Sequence, residues 1–162
     1  MSVADEYLRK NEAYAETYTG LPSGRPSRQV AVVACMDSRL DVARLLGMSI
    51  GEAHVMRNAG GVVTDDMIRS LAISQRLLGT TEIILIHHTE CGMQKTSEDA
   101  FKSAVEAETG IRPPWAVEAF TDVAADVRQS VARIKASPFI PCKDAIRGLV
   151  FDVATGRLDV VA

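Results

Sequence analysis

Three residues in this sequence have the types and spacing of a soft-metal site. One thiol, Cys35, follows the apolar run VVA, and a second, Cys91, stands three positions after His88 in HHTECG. Zinc takes thiolate and imidazole ligands, and a zinc that does chemistry keeps three protein ligands and one open position. Cys35, His88 and Cys91 supply such a set, with one short turn delivering two ligands and a separate strand end delivering the third. His87 competes with His88, but neighbouring side chains on a strand point to opposite faces, and the His-x-x-Cys spacing selects His88. Each residue taken alone has a plainer reading, since a free cysteine is usually a small buried apolar group. His54, inside AHV, reads as a packed or surface histidine, and Cys142, in PFIPCKD, as a free structural thiol.

Asp37 and Arg39 follow Cys35 at alternate positions. On an extended segment all three share one face, which sets the carboxylate beside the metal and the guanidinium beside the carboxylate. An ordinary surface ion pair is the competing reading. Its place at the end of a buried strand, next to a ligand, favours the site.

The elements that must position these residues follow from periodicity. Gln29 to Ala34 is a continuous apolar run, the pattern of a strand buried on both faces. AHVMRNAGG reads as a second strand that breaks at Gly60 and Gly61. Thr64 suits a helix N-cap, Asp65 and Asp66 suit the first turn, and Ile68, Leu71, Ala72, Leu77 and Leu78 carry the helix to Gly79. TEIILIHH is another apolar strand. Helical patterns recur over Asp99 to Glu108 and Asp122 to Ala136, divided by the IRPPW loop. The tail GLVFDVATGRLDVVA reads as two strands with a turn at Ala154 to Gly156.

Strands alternating with helices imply βαβ units. The expected fold is therefore α/β, a mainly parallel central sheet flanked by helices, with a projecting N-terminal helix and a C-terminal hairpin. In such sheets the reactive groups gather beyond the C-terminal strand ends, where both metal-type motifs fall. Residues 1–162 read as a single domain. Residues 1–20 form an arm helix, with Val3, Tyr7, Tyr14 and Tyr18 near one face, and the loop TGLPSGRPSR separates it from the rest. A helix set apart in this way suits packing on a partner subunit.

Composition excludes several classes. The 162 residues carry a net charge of −3, with 47% hydrophobic and 24% charged residues, which argues against a nucleic-acid surface. No run approaches the ~18 apolar residues of a membrane span, and MSVADEYLRK is too charged for a signal peptide, so no membrane partner and a cytoplasmic location are expected. Three cysteines in a reducing compartment point to metal binding or catalysis rather than cross-linking. Neither a P-loop nor a Gly-rich dinucleotide fingerprint is present.

CMDSR, RNAGG and HTECG, in that order, resemble the β-class carbonic anhydrases, and the resemblance covers most of the chain from Gln29 to the terminal hairpin. The compact length and VVTDDMIRSLAISQRLLG resemble a small actinobacterial subgroup. The resemblance implies a Zn2+ cofactor on Cys35, His88 and Cys91, and reversible hydration of carbon dioxide to bicarbonate and a proton by zinc-bound hydroxide. It implies that Asp37 orients the hydroxide, that Arg39 holds Asp37 off the metal, and that Asp37 becomes a fourth ligand in a closed state. It places Arg57, Asn58, Ala59, Gly60, Gly61 and Gly92 in the substrate pocket, although the glycines also suit tight turns. Val32 stands where family members with a regulatory bicarbonate pocket carry tryptophan, and Trp115 lies in a distant loop, so that regulation is not expected. A homo-oligomer, a dimer or a dimer of dimers, is implied.

Charge counting adds a pH expectation. Two thiolates and a neutral imidazole bring zinc to about zero net charge, so its water should be less acidic than the ~7 of a three-histidine site, and activity should rise toward alkaline pH. Two alternatives stand beside this reading. A carbonyl sulfide or carbon disulfide hydrolase would use the same scaffold and residues. A structural zinc would need a closed site, and only a fixed Asp37 could close it.

Overall fold

The computed structural model describes residues 2–20 and 23–162; Met1 of the expected arm and Leu21 and Pro22 of the expected loop lie outside the described residues. Five strands form one sheet in the order β2-β1-β3-β4-β5, where β1 is Val30–Cys35, β2 Ala53–Asn58, β3 Glu82–His88, β4 Ile146–Phe151 and β5 Leu158–Val160. All neighbours pair in parallel except β4 and β5. The expected hairpin is therefore present, and its turn begins one residue early, at Val153.

Every residue of β1 is buried, as its unbroken apolar run requires of a strand covered on both faces. Alternation divides the interior into two cores. Ala31, Val33, Ile83 and Leu85 face one way, against Leu71 and Ile134. Val32, Ala34, Cys35 and Ile86 face the other, with Leu40 and Phe120. Parity along β1 and β3 thus decides which core a residue enters, except at the end of β1, where Cys35 joins the core of Val32 and Ala34.

Helices follow the capping signals. α1 spans Val3–Thr17 and α2 Val42–Leu46. α3 (Asp65–Arg76) starts where Thr64 accepts from the Met67 amide. It stops at Arg76 rather than Gly79, leaving Leu77 exposed. α4 (Glu98–Thr109) is capped by Ser97, and α5 (Val123–Ala136) by Asp122, each within a residue or so of the expected limits. α2 was not legible, because five residues between Asp41 and Gly47 are too few to show a helical period. α1 buries none of its residues against the rest of the chain.

Candidate metal centre

Register brings the donors together. β1 ends at Cys35 and β3 ends at His88, on adjacent parallel strands. Cys91 follows after a short turn in which Glu90 takes φ 55°, a left-handed conformation uncommon for a residue with a side chain. The ligand atoms of Cys35, His88 and Cys91 lie within 4.8 Å of one another, and all three residues are buried. The two Sγ atoms are 4.0 Å apart.

The donor set fits a soft divalent ion. His88 Nδ1 donates to the Thr89 carbonyl at 2.9 Å. That bond fixes the tautomer and leaves Nε2 as the acceptor, and Nε2 is a buried atom with no hydrogen-bond partner. The pairing with Cys91, with His88 close by, lowers the Cys35 thiol, while the same pairing with Cys35 pushes Cys91 up. Burial resists a charge on His88, but the bond to Cys35 and the charges of Cys35 and Asp37 raise it overall. The pocket therefore favours positive charge at its centre, which suits Zn2+.

Asp37 is placed as expected, by a different route. The strand stops at Cys35, so Cys35, Asp37 and Arg39 do not share the face of one extended segment; residues 37–40 form a turn in which the Leu40 amide donates to the Asp37 carbonyl at 3.0 Å. The Arg39 side chain folds back instead. Its backbone amide and Nε donate to Asp37 Oδ1 at 3.0 and 2.9 Å, and Nη2 donates to Oδ2 at 2.8 Å. Arg39 thereby holds the Asp37 carboxyl well below the usual carboxylate range. Asp37 Oδ2 lies 3.7 Å from His88 Nε2, at the mouth of the ligand triangle.

The RNAGG segment has mixed roles. Arg57 donates through Nε to the Cys35 carbonyl at 2.9 Å and through Nη2 to the Asp37 carbonyl at 2.7 Å. Gly60 and Gly61 build a tight turn at φ 82° and 71°. A Cβ on Gly61 would sit 2.8 Å from the Cys35 nitrogen, so backbone proximity to the ligand strand requires glycine there. Asn58, Ala59 and Gly92 line an apolar groove of about 580 Å³ together with Met36, Met93 and Trp115. Trp115, distant in sequence, reaches the wall of that groove, where its ring is tilted against Phe101 with centroids 6.1 Å apart.

His87 packs against Phe120 rather than into the ligand triangle. It is fully buried, and its Nε2 lies 3.5 Å from Asp126 Oδ2 on α5. Burial lowers His87 to about 4 and, with the charge of Glu118, raises Asp126 to about 6. Sequence reasoning missed Asp126, although its spacing to the buried Ser130 and Ile134 puts it on the inner stripe of that helix. His54 is packed as expected, between Ser74 Oγ at 2.7 Å and the Gly24 carbonyl at 3.1 Å. Cys142 is a free, half-buried thiol.

A mainly parallel sheet that gathers two thiols and an imidazole at its strand ends defines an α/β protein whose donor cluster could hold one soft metal ion. The family model described as carbonic anhydrase matches residues 30–158. β-Carbonic anhydrase 1 of Mycobacterium tuberculosis (strain ATCC 25618 / H37Rv) is 58% identical over 161 residues, 99% of each chain. The crystal structure of a carbonic anhydrase from Streptococcus mutans superimposes with a TM-score of 0.94 at 43% identity, covering 100% of this chain and 99% of the other. A carbon disulfide hydrolase of Acidithiobacillus thiooxidans is 35% identical, over 86% of this chain and 78% of its own. The chain belongs to the β-class carbonic anhydrases.

Proposed function

We propose that this chain is a lyase that catalyses the reversible hydration of carbon dioxide to bicarbonate and a proton. The observation that carries the reading is the buried Cys35, His88 and Cys91 triangle with the Arg39-held Asp37 carboxylate at its mouth. Zn2+ held by Cys35 Sγ, His88 Nε2 and Cys91 Sγ would supply a Lewis acid that brings water's proton loss into the working pH range. Asp37, kept ionised by Arg39, acts only as an acceptor. Its Oδ2 takes a hydrogen bond from the attacking water and aims the oxygen lone pair at the substrate carbon. The groove lined by Met36, Ala59, Gly92 and Trp115 offers an apolar surface suited to a small uncharged substrate. Stopped-flow carbon dioxide hydration by the zinc-loaded protein, from about pH 6.5 to 9.5, tests this, and turnover climbing with pH is expected.

The carbon disulfide hydrolase likeness keeps a second substrate class in view. The 58% identity to a carbonic anhydrase over nearly the whole chain outweighs it. Rates measured in parallel on carbon dioxide, carbonyl sulfide and carbon disulfide decide between them, with carbon dioxide expected to be fastest.

We further propose that residues 1–162 act as one domain within a dimer or a dimer of dimers. The support is α1, whose Val3, Tyr7, Leu8 and Tyr14 are each at least 50% exposed among the described residues. Light scattering on the full chain and on a chain lacking residues 1–20 tests the arm, and a smaller assembly is expected without it. Among the described residues no helix is long and apolar enough to cross a membrane. A cytoplasmic site of action suits the free thiols of Cys35, Cys91 and Cys142, and cell fractionation tests it.

A further inference from the structure

We propose that Arg57 is a positioning residue: it ties the Asp37 turn to the sheet and so keeps the Asp37 carboxylate from closing on the metal. The proposal rests on the zinc reading given above. Two restraints act on Asp37, and they differ in what they are anchored to. Arg39 grips the carboxylate, but it belongs to the same 37–40 turn and travels with it. Its ties outside that turn are to Glu90, at 3.3 Å to the carbonyl and 3.5 Å to Oε2. The side chains of that ion pair are 45% and 68% exposed, where such pairs hold little. Arg39 can therefore set the direction of the carboxylate without setting the distance of the turn from the ligands.

Arg57 supplies that distance. It stands on β2, outside the turn, and one guanidinium reaches the carbonyls on both sides of Met36 at 2.9 and 2.7 Å. The first carbonyl belongs to the ligand Cys35 and the second to Asp37. A planar, rigid fork that bridges them fixes the spacing between ligand and gate along the backbone. The β1–β2 ladder continues only as far as the bond from the Met36 amide to the Asn58 carbonyl, at 2.8 Å. Beyond it the Asp37 carbonyl is held by Arg57 and by the Leu40 amide of the turn itself. Asp37 Oδ2 lies 3.7 Å from His88 Nε2, a separation that two ligands of one zinc ion can share, so the placement of the turn decides whether the carboxylate closes the site. The groove wall in this region is formed by Asn58 and Ala59 rather than by Arg57, which separates this role from substrate contact.

The test uses Arg57→Ala and Arg57→Lys in the full chain, loaded with zinc for turnover and with cobalt for spectroscopy, with azide as the probe of the open metal position. For Arg57→Ala the expected result is unchanged metal content per chain, a kcat lower by roughly 10–100-fold, and loss of the azide-induced change in the cobalt spectrum. Arg57→Lys, which keeps a donor but not the fork, should fall between. Adding Asp37→Ala to Arg57→Ala should restore the azide response without restoring turnover. A wild-type azide response in Arg57→Ala, at any level of activity, overturns the proposal, as does loss of both fold and metal in the two single variants. Failure of the carbon dioxide assay with unaltered protein would count against the proposed function and leave the azide comparison readable.

Discussion

His87 and His88 are adjacent on one strand and equally buried, yet their surroundings draw them in opposite directions. His88 faces Cys35, Cys91 and Asp37, and despite its burial the net pull is toward positive charge. His87 faces Phe120 and the Asp126 side chain, and burial drives it to stay neutral, at about 4. Desolvation acts on both rings. What differs is which influence wins: at His88 the bond to Cys35 and the charges of Cys35 and Asp37 outweigh burial, whereas at His87 burial outweighs the charge of Cys35. A buried histidine is a metal site only where the opposite wall is built for a cation.

The largest effect should come from the metal face. His88→Ala removes one of three ligands and should abolish measurable zinc retention and lower turnover by at least about 10³-fold, out of an enzymatic acceleration of roughly 10⁶ or more. Zinc content per chain and stopped-flow rates check it. Cys35→Ser should behave alike, since a hydroxyl is a poor replacement for a thiolate. If zinc stays at full occupancy in both variants, the contrast between the two faces collapses.

Arg39→Ala comes next. It should retain zinc and lose roughly 10–100-fold in kcat, because it frees the carboxylate without touching a ligand. Full activity in that variant would remove the Asp37 and Arg39 pair from the mechanism. The pH profile sharpens the same face. Asp37 has a depressed folded-state value and is ionised across the working range, so it cannot produce a rise near neutrality. The two thiolates can, through a less acidic metal-bound water, and a flat profile from about pH 6 to 9 would break that assignment.

The smallest effect belongs to the His87 side. Asp126 has its folded-state value raised to about 6, so its contribution favours the fold at low pH and is lost as pH rises through that value. Above it, the native state carries a poorly solvated carboxylate near Glu118. Asp126→Asn should therefore raise Tm at about pH 8 by some 2–4 °C per kcal/mol relieved. It should change little at about pH 4 and leave kcat within about twofold, since Asp126 has no contact with the ligand triangle. Thermal melts at the two pH values check the sign, and stabilisation confined to the acid side would reverse the argument.

The clustering of Cys35, His88 and Cys91 was legible because its signals are local: Cys35 closes an apolar run, and His88 and Cys91 share one turn. The sheet was legible from the burial of that same run and of IILIHH. The turn after Cys35 was not, because alternating residue types look alike in an extended strand and in a turn whose arginine folds back onto its neighbour. Trp115 and Asp126 were misjudged or missed for another reason. Trp115 reaches the groove through packing between segments far apart in sequence, and although a helical period turns Asp126 inward, it does not record that His87 stands opposite.

Gly61 lies where the two faces meet. A methyl group there would press on the Cys35 nitrogen at 2.8 Å and on the His87 ring at 3.1 Å, in a backbone already at φ 71°. Every single-base change in a glycine codon that replaces the glycine with another residue adds a side chain. A lineage carrying this protein therefore has no neutral first step at this position, and the turn between metal face and back face is expected to be among the last features to drift as its relatives diverge.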